Sequence, residues 1–516
     1  MGFTPQTTEL RKADIMRACL LRPPQSVQRQ TRPANFIGLG VGATAFLARP
    51  SPTHAGQFPV NKWQSLAGRA SAVGVLFPHS LMESACCGCR ALFRRMNVVT
   101  VCPPAGLATT PGLIEAAPGS AGRGESVVRL GGVVRLALLL MPEPRGDLAT
   151  QMAEVLAAQD RALRRQDWPM HLTMQTVFLA DAADRAECER RLRTAPNSAE
   201  SVFHFVVQPP ANGARIAVEA WAIGGPGVVV ESLSPNAVRV AYDGLQWLHT
   251  AGLEAGVAPA VRPAADEVFA RNTALLVAAG MDWGHVVRTW WYLGDITEPG
   301  QDGQRYQELN RARAEAFRSV RFGHGHAVAK PHVIGYPAST GIGMAAGSGL
   351  SLATLALKTN RPDVQLLPLE NPLQTPAYDY AACYSPQSPK FSRAMALLLP
   401  DYLTLWISGT ASIINSEVIY PQSIVAQTEQ TLDNIAALIS PANFARHGQS
   451  RAGATLADLA KVRVYVKRAA DLAACRAVCQ HRLGNVPAVF VVADVCRPEL
   501  LVEIEGVAFA PRAPQP

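Results

Sequence analysis

The sequence predicts an α+β fold of three similar units fused in one chain, behind an extension at residues 1–122. Three observations predict it. After about residue 125 one order of strands and helices recurs three times. Apolar residues are 48% of the 516 and charged residues 17%, enough for several buried cores. Residues 1–122 interrupt every apolar run with Arg, Pro, Ala, Gly or Ser and hold no sustained period.

The units are placed at residues 123–237 (a degenerate copy), 238–370 and 371–512, the last carrying the strand expected to do chemistry. Segment 1–122 is expected to be disordered, or to come from a start codon assigned too early. The opening strands, 242–252 and 400–410, carry bulky residues after a turn and finish at or beside glycine. The first helix is expected at 267–279, ending at Gly280, and at 423–439, where apolar residues recur at helical spacing. The middle strand occurs three times, at 171–179, 286–293 and 459–466, each after an Asp-Trp or Ala-Asp dipeptide. The second helix, 471–483, ends at Gly484 as a C-cap. The closing strands 216–223 and 501–509 match each other, with Glu219 aligned on Glu503. The second unit's closing strand, near 350–357, is weaker.

Charge and cysteine usage exclude several classes. The net charge is +8, but residues 1–130 hold 14 Lys and Arg against 5 Asp and Glu, leaving 34 against 35 in the rest. The expected folded part is neutral, so nucleic acid is not a partner. No run of about 18 uncharged apolar residues occurs, which argues against a membrane span. The ten cysteines lack disulfide-framework spacing, which points to a reducing cytoplasm. Cys86, Cys87 and Cys89 lack a second pair at zinc spacing, and no carboxylate or cysteine stands at ligand spacing from His324, His326 and His332. No metal and no cofactor are expected.

In the closing strand of the third unit, Glu503 and Glu505 are two apart and face one side. Burial and a neighbouring carboxylate raise the pKa of such a pair, which makes one of them a candidate general acid.

The repeated unit resembles the RidA/YjgF family, a chorismate-mutase-like unit whose members assemble as trimers with ligand sites between subunits. Three copies in one chain imply a pseudo-trimer and hence a monomer. An imine deaminase of that family carries Arg where this chain has Val489, in Val486-Pro487-Ala488-Val489. Longer motifs resemble the chorismatases: Arg288-Thr-Trp-Trp-Tyr292, Tyr336-Pro-Ala-Ser-Thr-Gly-Ile-Gly343, Tyr384-Ser-Pro-Gln-Ser-Pro-Lys-Phe-Ser-Arg393, Ile407-Ser-Gly-Thr-Ala411 and Cys496-Arg-Pro-Glu-Leu-Leu-Val-Glu-Ile-Glu-Gly506. The resemblance implies chorismate as the small-molecule substrate. It implies Glu503 as the acid that protonates the enolpyruvyl methylene, and Cys496 as the residue that sets the product.

In that family, Cys seven before the catalytic Glu marks enzymes that yield 3-hydroxybenzoate, and Ala marks those that form a dihydroxy acid. The strand Gln175-Thr-Val-Phe-Leu179 resembles the aryl-polyene (xanthomonadin) pigment branch, which implies 4-hydroxybenzoate as a further product. The two carboxylates of chorismate need donors. Candidates are Arg288, Arg463, Arg476 and Arg497, the hydroxyls and backbone N–H groups around Ser339 and Thr340, and the side chains of Tyr336 and Tyr384. Two other readings stand beside this one: a RidA-like imine deaminase, and a ligand-binding protein without catalysis.

Overall fold

The described residues of the computed structural model are 114–117, 123–198, 200–324, 326–327 and 335–513, and they build three six-stranded sheets. The first holds β1 (Ile114–Ala117), β2 (Arg123–Leu130), β3 (Val133–Leu140), α1 (Leu148–Arg164), β4 (His171–Leu179), α2 (Arg185–Thr194), β5 (Val202–Val207) and β6 (Ile216–Gly224). The second holds β7 (Val229–Ser234), β8 (Ala237–Tyr242), β9 (Leu245–Ala255), α3 (Val261–Ala278), β10 (Val286–Gly294), α4 (Arg305–Ala316), β11 (Ala338–Met344) and β12 (Leu350–Thr359). The third holds β13 (Gln365–Leu369), β14 (Ala394–Leu398), β15 (Tyr402–Ala411), α5 (Ile424–Ile439), α6 (Pro441–Arg446), β16 (Leu459–Val466), α7 (Leu472–Leu483), β17 (Ala488–Val492) and β18 (Val502–Pro511).

The three sheets have one strand order: β1-β2-β3-β6-β4-β5, β7-β8-β9-β12-β10-β11 and β13-β14-β15-β18-β16-β17. Only the last pair in each is parallel, joined by a crossover through α2, α4 or α7. The middle strands β10 and β16 are buried at every residue, and β4 at all but His171, because sheet faces and helices cover both sides. Inner-face residues of all three sheets share one apolar cluster, and each sheet packs its own helices in a second. Among the described residues, no helix is long and apolar enough to cross a membrane.

Local chemistry explains the expected elements and their shifts. Ser423 Oγ accepts from Ala426 N (3.2 Å) to start α5, and Gly484, at φ 59°, ends α7. The strand expected from residue 242 starts at Leu245, since Asp243 and Gly244 form a turn with φ 48° and 69°. Helix α3 starts six residues before its expected position, because Pro263 is tolerated in a first turn. The leading strands of each sheet and the short parallel strands β5, β11 and β17 were not expected. Strand β1 lies inside the segment expected to be an extension and pairs antiparallel with β2.

The register corrects one alignment. Each middle strand bulges at the same place, after Leu172, Val286 and Leu459. Counted from the bulge, Glu219 faces Thr176 as Glu505 faces Arg463, so Glu219 corresponds to Glu505 and not to Glu503. The positions matching Glu503 are Ala217 and Ser351. Likewise Arg288 corresponds to Lys461, and Arg463 to Trp290, two residues away on the same face.

Candidate active site

Strand β18 runs between β15 and β16 and carries Glu503 and Glu505 on one face, both almost wholly buried. Glu505 accepts from Arg288 Nη2 (2.5 Å), from Trp290 Nε1 (3.0 Å) and from the Thr340 hydroxyl, and Arg463 Nη1 lies 3.1 Å away. Glu503 has no hydrogen-bond donor among the described residues. Burial, and after it the charge of Glu505, pushes the Glu503 carboxyl up to about 8, against the opposing pull of Arg288 and Arg393. A carboxyl shifted in this direction favours its protonated form near neutral pH. Gly409 sits in a bulge of β15 and leaves room for that carboxyl: a Cβ at 409 would overlap Glu503 Oε1.

A cavity of about 70 Å³ opens onto Glu503, lined among others by Cys496, Arg497, Tyr306, Asn310, Ser339 and Arg393. Arg393 is buried, donates to the Thr375 carbonyl (3.0 Å) and the Tyr380 hydroxyl (2.7 Å), and has an unpartnered Nε. Behind the lining, buried Arg313 donates to Ser339 Oγ (3.2 Å) and Asn310 Oδ1 (2.7 Å), with Nε again unpartnered. Arg497 donates to the Ser416 carbonyl (2.8 Å) and lies over the rings of Tyr380 and Tyr384, 5.1 Å from each. None of these three guanidinium groups makes an ion pair among the described residues. Arg313 and Arg393 are buried and Arg497 half-buried, and burying cations without anions costs free energy that carboxylates of a ligand would offset. Burial, and after it Glu503, holds the Cys496 thiol up at about 12, so it faces the cavity as a neutral group.

Residues 219–356 match the family model described as Chorismatase FkbO/Hyg5-like, N-terminal. A chorismatase of Streptomyces rapamycinicus is 34% identical over 299 residues, covering 56% of this chain and 81% of that protein. The chain belongs to the chorismatase family. A 3-hydroxybenzoate synthase of Streptomyces hygroscopicus is 36% identical over 233 residues, 44% of this chain, and the match spans 64% of that relative's length. A crystal structure of a chorismatase has the same fold, with a TM-score of 0.55 at 23% identity, covering 72% of this chain and 98% of that one.

In this chorismatase-family chain the residues expected at the site fall into two groups. Glu503, Cys496, Arg497, Ser339 and Tyr384 line the cavity. The Tyr384 hydroxyl also donates to Glu417. The others do not line it. Arg288 and Thr340 lie behind and hold Glu505. Arg463 is spent on Glu219, Thr176 and the Tyr292 hydroxyl. Arg476 lies over the ring of Phe490, 5.0 Å away on the helix side of the third sheet. Tyr336 packs among Phe317, Phe322 and Tyr378. Residues 338–344, whose backbone N–H groups were expected as anion donors, form the edge strand β11: one side pairs in parallel with β10, and on the other Ser339 N donates to Ser408 Oγ (2.8 Å) and Gly343 N to the Asp494 carbonyl (2.8 Å).

Sequence reasoning missed Arg313, Arg393, Tyr306, Asn310 and Gly409. Helix α4 held a signal: Tyr306, Leu309, Asn310 and Arg313 recur at helical spacing on the face that is buried. The reading of the histidines also needs correction. A carboxylate does stand by His324, since Asp282 Oδ1 is 2.6 Å from its Nε2, with His285 stacked on it at 3.8 Å. These three groups could hold a metal ion, but they lie apart from the cavity. A separation of 42 positions in the sequence between Asp282 and His324 hid the pairing. His332, Cys86, Cys87 and Cys89 lie outside the described residues.

Proposed function

We propose that this protein converts chorismate to 3-hydroxybenzoate and pyruvate, with Glu503 as general acid. One observation carries the reading: a glutamate raised to about 8 stands alone in a cavity beside unpaired arginines, while the matching positions of the other two sheets are Ala217 and Ser351. Glu505 recurs as Glu219, and both are held by cations, so that member of the pair is architectural.

Glu503 gives its proton to the methylene carbon of the enolpyruvyl group, making an oxocarbenium ion. The ring carbon–oxygen bond then breaks, and the side chain leaves as pyruvate. The neighbouring ring hydroxyl closes on the vacated carbon to an arene oxide, which opens and aromatises to hydroxybenzoate. The proton released from the ring returns to Glu503, so no water is consumed. Arg393 and Arg497 take the substrate carboxylates, Arg313 supports them through Ser339, and Cys496 fills the space a competing water would need. The direction of arene-oxide opening sets 3- against 4-hydroxybenzoate.

The three units, whose sheets run over 114–224, 229–359 and 365–511 rather than the expected 123–237, 238–370 and 371–512, would then act as a pseudo-trimer in one chain, which needs no further copies to complete its site. The free cysteines among the described residues fit a cytoplasmic enzyme, and the resemblance carried by the strand Gln175–Leu179 supports a place in pigment-related secondary metabolism. The test is to incubate the pure protein with chorismate and separate the products. Pyruvate with hydroxybenzoate in equal amounts supports the reading. Binding of chorismate without turnover would leave a ligand-binding protein, and turnover of imines alone a deaminase.

A further inference from the structure

A second cavity lies between the inner faces of the three sheets and shares no lining residue with the first. It measures about 100 Å³. Its walls include four tryptophans, Trp221, Trp247, Trp290 and Trp406, and the rings of Trp247 and Trp406 stand 5.5 Å apart. The register shows how it is built. Arg135 faces Ile223, Trp247 faces Leu357 and Thr404 faces Phe509, so these three hold one position in the three sheets. That position is a cation once, an aromatic ring once and a small hydroxyl once. The layer is asymmetric, and it leaves space beside Thr404.

Arg135 is 8% exposed and forms no ion pair among the described residues. It donates to the Leu130 carbonyl (3.2 Å) and to the hydroxyls of Tyr242 (3.1 Å) and Tyr402 (3.3 Å). Its guanidinium lies over the rings of Tyr242, Tyr402 and Phe509 at 5.3–5.8 Å. Neutral hydroxyls and ring faces stabilise a buried cation only in part, so a negative charge brought to it is favourable. A cation at the edge of a slot walled by indole rings selects a flat ring with one carboxylate.

We propose that this central cavity is a second binding site, for a planar aromatic monocarboxylate, with Arg135 taking the carboxylate and the tryptophans the ring. The inference does not depend on the chemistry assigned to Glu503. Benzoate is the probe, and intrinsic tryptophan fluorescence is the readout, because four indoles line this cavity and none lines the other. Benzoate should change the emission saturably. Arg135→Gln should weaken that response at least tenfold, and Thr404→Phe, which fills the slot and leaves Arg135 in place, should do the same. Arg497→Ala, in the other cavity, should leave it unchanged. Circular dichroism confirms that each variant is folded. No saturable response in the wild type, or a response lost in Arg497→Ala but kept in Arg135→Gln and Thr404→Phe, would overturn the proposal.

Discussion

Arg288 Nη2 holds the Glu505 carboxylate at 2.5 Å, while Glu503, two residues earlier on the same face of β18, has no donor among the described residues. This relationship separates a carboxylate held by cations from one left without a donor, the one proposed as the general acid. Replacing Glu503 by Gln keeps the shape of the side chain and removes the acid. Pyruvate release should fall by about 10²–10⁴-fold. Near-wild-type pyruvate formation by the mutant would remove Glu503 from its role.

The same substitution should change how stability depends on pH. Glu503 is raised from 4.5 to about 8 in the folded state. A raised carboxyl binds its proton more tightly when folded, so it destabilises the fold progressively as pH rises from about 4.5 to about 8. At pH 7 the penalty is about 3 kcal/mol, from ~1.4 kcal/mol per pH unit. Melting temperatures measured from pH 5 to 8.5 should decline in the wild type relative to Glu503→Gln, with the gap closing at pH 5. Parallel curves would contradict the shift.

Activity should lose its acid on the alkaline side. Pyruvate release in the wild type should drop about tenfold per pH unit above about 8. Glu505→Gln removes the charge that raises Glu503 and frees Arg288 to pull it down, so this limb should move to lower pH. An alkaline limb that stays in place would mean that the two carboxylates do not sense each other.

Gly409 should tolerate no side chain. Its missing Cβ is the space Glu503 occupies. Gly409→Ala should displace the acid and cost activity by a large factor, with overpacking of about 1–3 kcal/mol. Unchanged activity would place the working carboxyl elsewhere.

How much of this was legible in the sequence differs by residue. The pair Glu503 and Glu505 could be read because a strand's period of two puts them on one face. That same period made the alignment of Glu219 with Glu503 look sound: a slip by two keeps the face, and only the bulges after Leu172 and Leu459 reveal it. Arg463 and Arg476 were expected at the substrate because Arg suits carboxylates. A sequence does not tell that Glu219 already holds the first or that Phe490 carries the second. Arg313 was missed for the opposite reason. A helical Arg is ordinarily solvated, and this one is buried because α4 packs that face against the site.

Cys496 lines the cavity beside Glu503, and burial holds its thiol near 12, so in the proposed reaction it takes no part in protonation, which falls to Glu503. What it can set is the room beside the ring carbon that loses its ether. Cys496→Ala replaces the sulfur by hydrogen and leaves space approaching that of one water, roughly 30 Å³. The nearby Arg393 and Glu503 give such a water polar partners, so the space would be wet rather than empty. A water there competes with the neighbouring hydroxyl for the cation-like carbon. The mutant should keep releasing pyruvate within about tenfold of the wild type while yielding more dihydroxycyclohexadiene acid and less 3-hydroxybenzoate. Chromatography of its products measures the split. An unchanged hydroxybenzoate yield would show that Cys496 only packs, and the control of water would then pass to the other walls of the cavity, Tyr306 and Leu500.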